Sequence, residues 1–110
     1  MPIVPRDDGV LFVRLSDDPQ LGKDLDSLCQ DALRSPPAVV LDLAGVNYLN
    51  SSHLARLLRL RKRVIVADGR LVLCRVTPQV LGVFHATGLD KVFTLVDDEP
   101  TAVEWAKMRA

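Results

Sequence analysis

Asn50, Ser51 and Ser52 stand together where a polar bend gives way to a run with helical spacing, and His53 follows them. Asparagine and serine are favoured at a helix N-cap because their side-chain oxygens accept from the first free backbone N–H groups. One cap needs one such side chain. The remaining hydroxyls either fill the bend or serve another purpose. A phosphoryl group on one of them would lie against unsatisfied N–H groups and the positive end of the helix dipole. It would add about two negative charges to the surface without opposing the fold. That is the chemistry of a docking switch, with Ser51 and Ser52 as the two acceptor candidates.

The helix that begins there carries Arg56, Arg59, Lys62 and Arg63. At about 100° per residue, Arg56, Arg59 and Arg63 fall within about 60° of one another. They lie opposite an expected apolar stripe of Leu54, Leu57, Leu58 and Ile65, with Lys62 further round and Arg61 toward the apolar side. Such a face is either solvated, its stems lying along apolar surface, or a docking face for an acidic protein surface.

Other chemistry lacks its pattern. No Gly-rich run ending in Lys and Ser/Thr is present for a phosphate loop, and six scattered glycines do not make a dinucleotide fingerprint. His53 and His85 have no Cys or carboxylate at zinc-ligand spacing. A triad can be drawn from Ser51, His85 and Asp42, but no G-x-S-x-G elbow supports it. Asp7-Asp8, Asp17-Asp18 and Asp97-Asp98 read as solvated turns. No catalytic residue, metal ligand or cofactor is assigned, and the expectation is a non-enzyme.

These residues need elements to position them. The chain has 110 residues, 48% of them hydrophobic and 25% charged, with a formal net charge of zero. That is one expected domain, residues 1–110, able to bury a core without disulfides or metal. The charge balance gives no reason to expect direct nucleic-acid or membrane binding. Cys29 and Cys74 are far apart and lie in apolar patterns, so both read as buried small hydrophobes. The first residues show no signal-peptide pattern, and no apolar run approaches the roughly 20 residues of a membrane span. A cytoplasmic protein, monomeric or weakly dimeric, is the expectation.

Val10 to Leu15 reads as a strand, with Ile3-Val4 as a short hairpin partner across Asp7-Asp8-Gly9. Leu21, Leu25, Leu28, Cys29, Ala32 and Leu33 recur at helical spacing until Pro36-Pro37. Ala38 to Leu43 is a nearly continuous apolar run, as in a strand covered on both faces. The second helix is expected from about Ser52 to Val66, ended by Asp68-Gly69. A strand over Arg70–Val76 follows, then a helix capped by Thr77-Pro78, with Val80, Leu81, Phe84 and His85 on its apolar side and Gly88 closing it. Val92–Val96 is the last strand, and the final helix carries Ala102, Val103, Trp105, Ala106 and Met108. Strands alternating with one-faced helices give a layered α/β fold with right-handed crossovers.

The run Asp42-Leu43-Ala44-Gly45-Val46-Asn47-Tyr48-Leu49-Asn50-Ser51-Ser52-His53-Leu54 resembles the signature of the STAS domain family of anti-sigma factor antagonists, D-L-S/A-x-V-x-Y/F-L/M-D-S-S/T-G-L. The resemblance continues through Arg70–Cys74, Thr77-Pro78-Gln79-Val80 and Thr87–Phe93. It implies a mixed, mostly parallel sheet of four to five strands with about four helices. It also implies a module that binds an anti-sigma factor, a Ser/Thr kinase of the histidine-kinase ATPase type. By the same resemblance the kinase phosphorylates Ser51 and a phosphatase reverses the modification. Asn50, Ser51, Ser52, His53, Arg56, Arg59 and Arg63 would form the contact surface. The family's usual Asp and Gly are here Asn50 and His53, which opens the prospect of binding without a working switch. The same fold also serves as a soluble subunit of lipid or anion transporters and as a ligand-sensing module, and these readings stay open alongside the first.

Overall fold

The computed structural model describes residues 3–6, 8–30 and 36–108. Five strands form one sheet in the order β1-β2-β3-β4-β5: Ile3–Val4, Val10–Ser16, Ala38–Gly45, Arg70–Cys74 and Thr94–Val96. β1 runs antiparallel to β2, with Ile3 opposite Val13 and Val4 opposite Phe12, and every other pairing is parallel. The helices are α1 (Gln20–Gln30), α2 (Ser51–Val66), α3 (Pro78–Thr87) and α4 (Glu99–Lys107). This is the expected mixed, mostly parallel α/β architecture.

The sequence of β3 explains the layering. Val39, Leu41 and Leu43 point to one face, into a core shared with Leu25 and Leu28 of α1, Leu57, Leu60 and Val64 of α2, and Val80 and Phe84 of α3. Val40 points to the other, against Val10, Phe12, Val72 and Cys74 and the Ala102, Val103, Ala106 stripe of α4. Because the parallel crossovers all step one way along the sheet, a common crossover hand stacks α1 to α3 on one face. α4 covers the opposite face, and β3 is thereby buried on both sides.

Several expectations are corrected in phase. α2 buries His53, Leu57, Leu60 and Val64, whereas Leu58 and Ile65 are 39% and 46% exposed. The helix is apolar on more than one side, so spacing alone does not decide which side meets the sheet. His85 is exposed and its Nδ1 meets the Asp90 carboxylate at 2.5 Å, outside the apolar side of α3. Trp105 faces outward from α4, Met108, expected on that helix, lies just past its end and is exposed, and the Arg70 guanidinium lies 5.5 Å from the Trp105 ring centroid. Cys74 is buried, and burial pushes its thiol up to about 12. Cys29 is only partly buried, its thiol donating to the Arg56 carbonyl at 3.4 Å. β4 stops at Cys74 because Arg75 adopts φ 53°. β5 is confined to Thr94–Val96 because Leu89–Lys91 form a short 3-10 turn ahead of it. Ala32 and Leu33, expected on α1, lie outside the described residues.

At the end of α2 the left-handed residue is Asp68 (φ 60°), not Gly69. Gly69 is required by proximity instead. A Cβ there would stand 2.1 Å from the Pro37 carbonyl oxygen, which accepts the hydrogen bond of the next residue, Arg70.

Candidate functional site

β3 delivers the chain to the carboxyl edge of the sheet, where it must turn into α2. Gly45 permits a close pass, since a Cβ would meet the Leu15 carbonyl oxygen at 2.9 Å. Val46 and Leu49 are buried and pin the bend to the core, so Asn47 and Tyr48 are displayed outward. Thr77, the N-cap of α3, donates its hydroxyl to the Val46 carbonyl at 3.1 Å.

The β2–α1 loop clamps the bend from the other side. Asp17 accepts from the Asn47 backbone at 2.9 Å and from the Asn47 amide at 3.2 Å. Asp18 accepts from the Gly22 backbone at 3.0 Å and meets His53 Nε2 at 2.7 Å. Its carboxyl is held below the usual carboxylate range, first by the Gly22 bond and then by His53. The Asp17-Asp18 pair is therefore a fastener and not merely a solvated turn. Sequence reading missed this because both partners come from a segment about thirty residues away.

Asn50 caps α2, its Oδ1 accepting from the His53 N–H at 2.9 Å, while His53 Nδ1 accepts from the Asn50 N–H at 3.1 Å. This is a capping box in which an imidazole does the work usually done by Glu or Gln. With Nδ1 accepting, the ring proton sits on Nε2 and is donated to Asp18. The ring is only 2% exposed. His53 therefore shapes the bend from inside, and its ring is not part of the outward surface on which it was expected. Tyr48, 64% exposed, stands edge-on to the ring at 6.5 Å between centroids.

The two serines differ. Ser52 accepts a hydrogen bond from Arg56 Nη1, and Arg56 Nε meets Asp26 of α1 at 2.6 Å. Ser51, the first residue of α2, is exposed, and its hydroxyl has no hydrogen-bond partner among the described residues. Arg63 donates to the Leu28 carbonyl at 2.7 Å. Arg56 and Arg63 thus join α2 to α1 and are half-buried, and of the three expected face cations only Arg59 is exposed.

Ser51, His85 and Asp42 do not assemble into a triad. His85 pairs with Asp90, and Asp42 lies on the α4 face, 3.0 Å from Arg75 Nε and accepting from the Ala44 backbone at 2.9 Å. Burial, then the Glu99 carboxyl beside it, pushes Asp42 up, whereas Asp42 and Arg14 together hold Glu99 down. Among the described residues no group of three His, Cys, Asp or Glu is arranged to hold a metal ion, and no helix is long and apolar enough to cross a membrane. A groove of about 1000 Å³ opens at the opposite edge of the sheet, between Gly9, Pro37, Ala67–Arg70 and Lys107, and takes in none of the bend.

The STAS domain model matches residues 2–102. BtrV of Bordetella bronchiseptica, named for an anticipated role as an anti-sigma factor antagonist, is 34% identical over 64 residues, which are 58% of this chain. The match spans about half (55%) of that relative's length. An anti-sigma factor antagonist (STAS) domain protein from Planctomyces limnophilus superposes with a TM-score of 0.80 at 22% identity, covering 96% of this chain and 98% of the other. A Thermotoga maritima protein assigned to the same role gives 0.81 at 18% identity, covering 97% and 94%. At these identities the two structures speak for the fold alone.

Proposed function

This chain belongs to the STAS domain family, and on that premise we propose that it is a regulatory protein-binding module, an anti-sigma factor antagonist working in the cytoplasm without chemistry of its own. Its partner is an anti-sigma factor that is also a Ser/Thr kinase of the histidine-kinase ATPase type. Binding occupies that partner and so frees a sigma factor. Phosphorylation of Ser51 breaks the complex, and a phosphatase restores it.

One observation carries this reading: an exposed hydroxyl with no hydrogen-bond partner among the described residues, at the first position of a helix that Asn50 and His53 already cap. Ser51 is not needed to satisfy the helix end, so modifying it costs the fold little. A phosphate there would meet the free N–H groups of the first turn and the positive end of the dipole. Its two charges would change what a partner meets. Asn50, standing where the family usually has an acidic residue, keeps the cap and removes a negative charge beside the acceptor. Ser52 is the weaker acceptor because its oxygen is engaged by Arg56.

The test is incubation with the purified ATPase-type anti-sigma factor of the same genome and ATP, read by intact mass. One phosphate on the wild type, none on Ser51→Ala and one on Ser52→Ala is the expected pattern. Phosphate retained by Ser51→Ala would overturn the assignment of the acceptor.

A further inference from the structure

The outward face of α2 has a spacing that the capping and clamping contacts do not use. Ser51, Ala55, Leu58, Lys62 and Ile65 follow one another at intervals of four, three, four and three, and all five are exposed. That interval keeps one seam of a helix facing one partner helix. Leu58 and Ile65 are 39% and 46% exposed, and Val66 beside them is 76% exposed. The seam begins at the candidate acceptor and runs about 21 Å down the helix at 1.5 Å per residue.

The charge around it has one sign. Between Ser51 and Val66 stand Arg56, Arg59, Arg61, Lys62 and Arg63, with no Asp or Glu, in a chain whose net charge is zero. Arg56 is spent on Asp26 and Arg63 donates to Leu28. Arg59, Arg61 and Lys62 have no ion-pair partner among the described residues. A second copy of this chain would bring an equally basic α2 to the seam, so self-association there is opposed by charge. A helix with apolar seam residues and flanking carboxylates matches both features.

We propose that the Ser51–Ala55–Leu58–Lys62–Ile65 seam of α2 is the docking strip for an amphipathic, acid-flanked helix of the partner. The proposal rests on the reading of this chain as an anti-sigma factor antagonist and specifies the contact. It moves the surface from the Arg56, Arg59, Arg63 side of the helix to the side carrying Leu58 and Ile65. Arg59 and Lys62 flank the apolar pair and set register and salt dependence, while Leu58 and Ile65 supply the desolvated centre. Ser51 heads the strip, so a phosphate there places negative charge at the end where acidic flanks arrive.

Fluorescence anisotropy with the purified ATPase-type anti-sigma factor of the same genome, at two salt concentrations, tests this. Leu58→Asp is expected to weaken binding about tenfold or more, the loss typical of a central contact. The double variant Arg59→Glu, Lys62→Glu should also bind more weakly and lose most of the salt dependence. Glu104→Lys, on exposed α4, should bind as wild type. All the substituted side chains are exposed, and circular dichroism checks that each variant is folded. Binding by the wild type with Leu58→Asp and the double variant unchanged would overturn the strip and leave the antagonist reading standing. No binding by the wild type would overturn the antagonist reading, and the strip with it. A parallel arm uses phosphatidylglycerol vesicles: cosedimentation lost in the same variants, with partner binding unchanged, would assign the seam to an anionic lipid surface and overturn the proposal.

Discussion

His53 is the residue at which sequence reading and structure part furthest. A histidine beside two serines invites a role as a base or a contact. Here one ring nitrogen accepts from the Asn50 backbone and the other donates to Asp18, with the ring buried. Both nitrogens are consumed in joining the bend to the β2–α1 loop. Replacing the ring strands the Asn50 N–H, leaves Asp18 held by Gly22 alone and opens a void, so His53→Ala should destabilise the fold by about 1–3 kcal/mol. Urea unfolding is the measurement, and a midpoint equal to wild type would mean the box is dispensable. Asn50→Ala removes only the acceptor for the His53 N–H and should cost about 1 kcal/mol. The polar identity of the bend was legible in the sequence. Which side chain closes it was not, because the decisive partner, Asp18, lies thirty-five residues earlier.

For α2, existence and length followed directly from spacing, whereas the choice of Asn50 over Ser51 and Ser52 as its cap did not. Its rotation about its own axis did not either. Leucines, arginines and Ile65 alternate so closely that two stripes compete, and the choice is made by packing against α1 and β4, where Leu57, Leu60 and Val64 fit. The end of the helix teaches the same lesson through Gly69, whose role is contact with Pro37 and not backbone freedom. Gly69→Ala forces backbone apart and should cost about 1–3 kcal/mol, read as a lowered thermal midpoint. Where β3 meets α4, the carboxyls of the buried Asp42 and its neighbour Glu99 are shifted in opposite directions, the first up and the second down. Asp42 is raised, so its contribution is present below its ordinary value and is lost as pH climbs through the raised one. Glu99 is lowered, so its contribution is present above its ordinary value and is lost as pH falls through the lowered one. Asp42→Asn keeps the shape and removes the first titration. The stability difference between wild type and Asp42→Asn should therefore shift toward the variant from about pH 4 upward. A difference that does not change with pH would mean that Asp42 is not raised.

Across the whole molecule, a single sheet separates two cores, and the β3–α2 bend with Ser51 lies at the carboxyl edge of its parallel strands. The β3–α2 bend is held by contacts from the β2–α1 loop and from Thr77 at the start of α3, so its shape is a property of the fold as a whole. Strand and helix order, the hairpin partner β1 and the double burial of β3 were all readable from hydropathy and turn residues. The two cores were implicit in the nearly continuous apolar run of β3. Long-range polar contacts were not, since the β2–α1 loop shows only a pair of acidic residues in a turn-like setting. What this architecture leaves outward is Ser51 on a helix end already capped by others, at the head of the α2 seam. The most direct measurement is therefore quantitative: affinity for the ATPase-type anti-sigma factor of the same genome before and after stoichiometric phosphorylation, with Ser51→Ala carried through the same treatment. Tight binding that is lost on phosphorylation in the wild type and kept in Ser51→Ala is the predicted result. Equal affinity of the unmodified and Ser51-phosphorylated protein would contradict a switch at the bend.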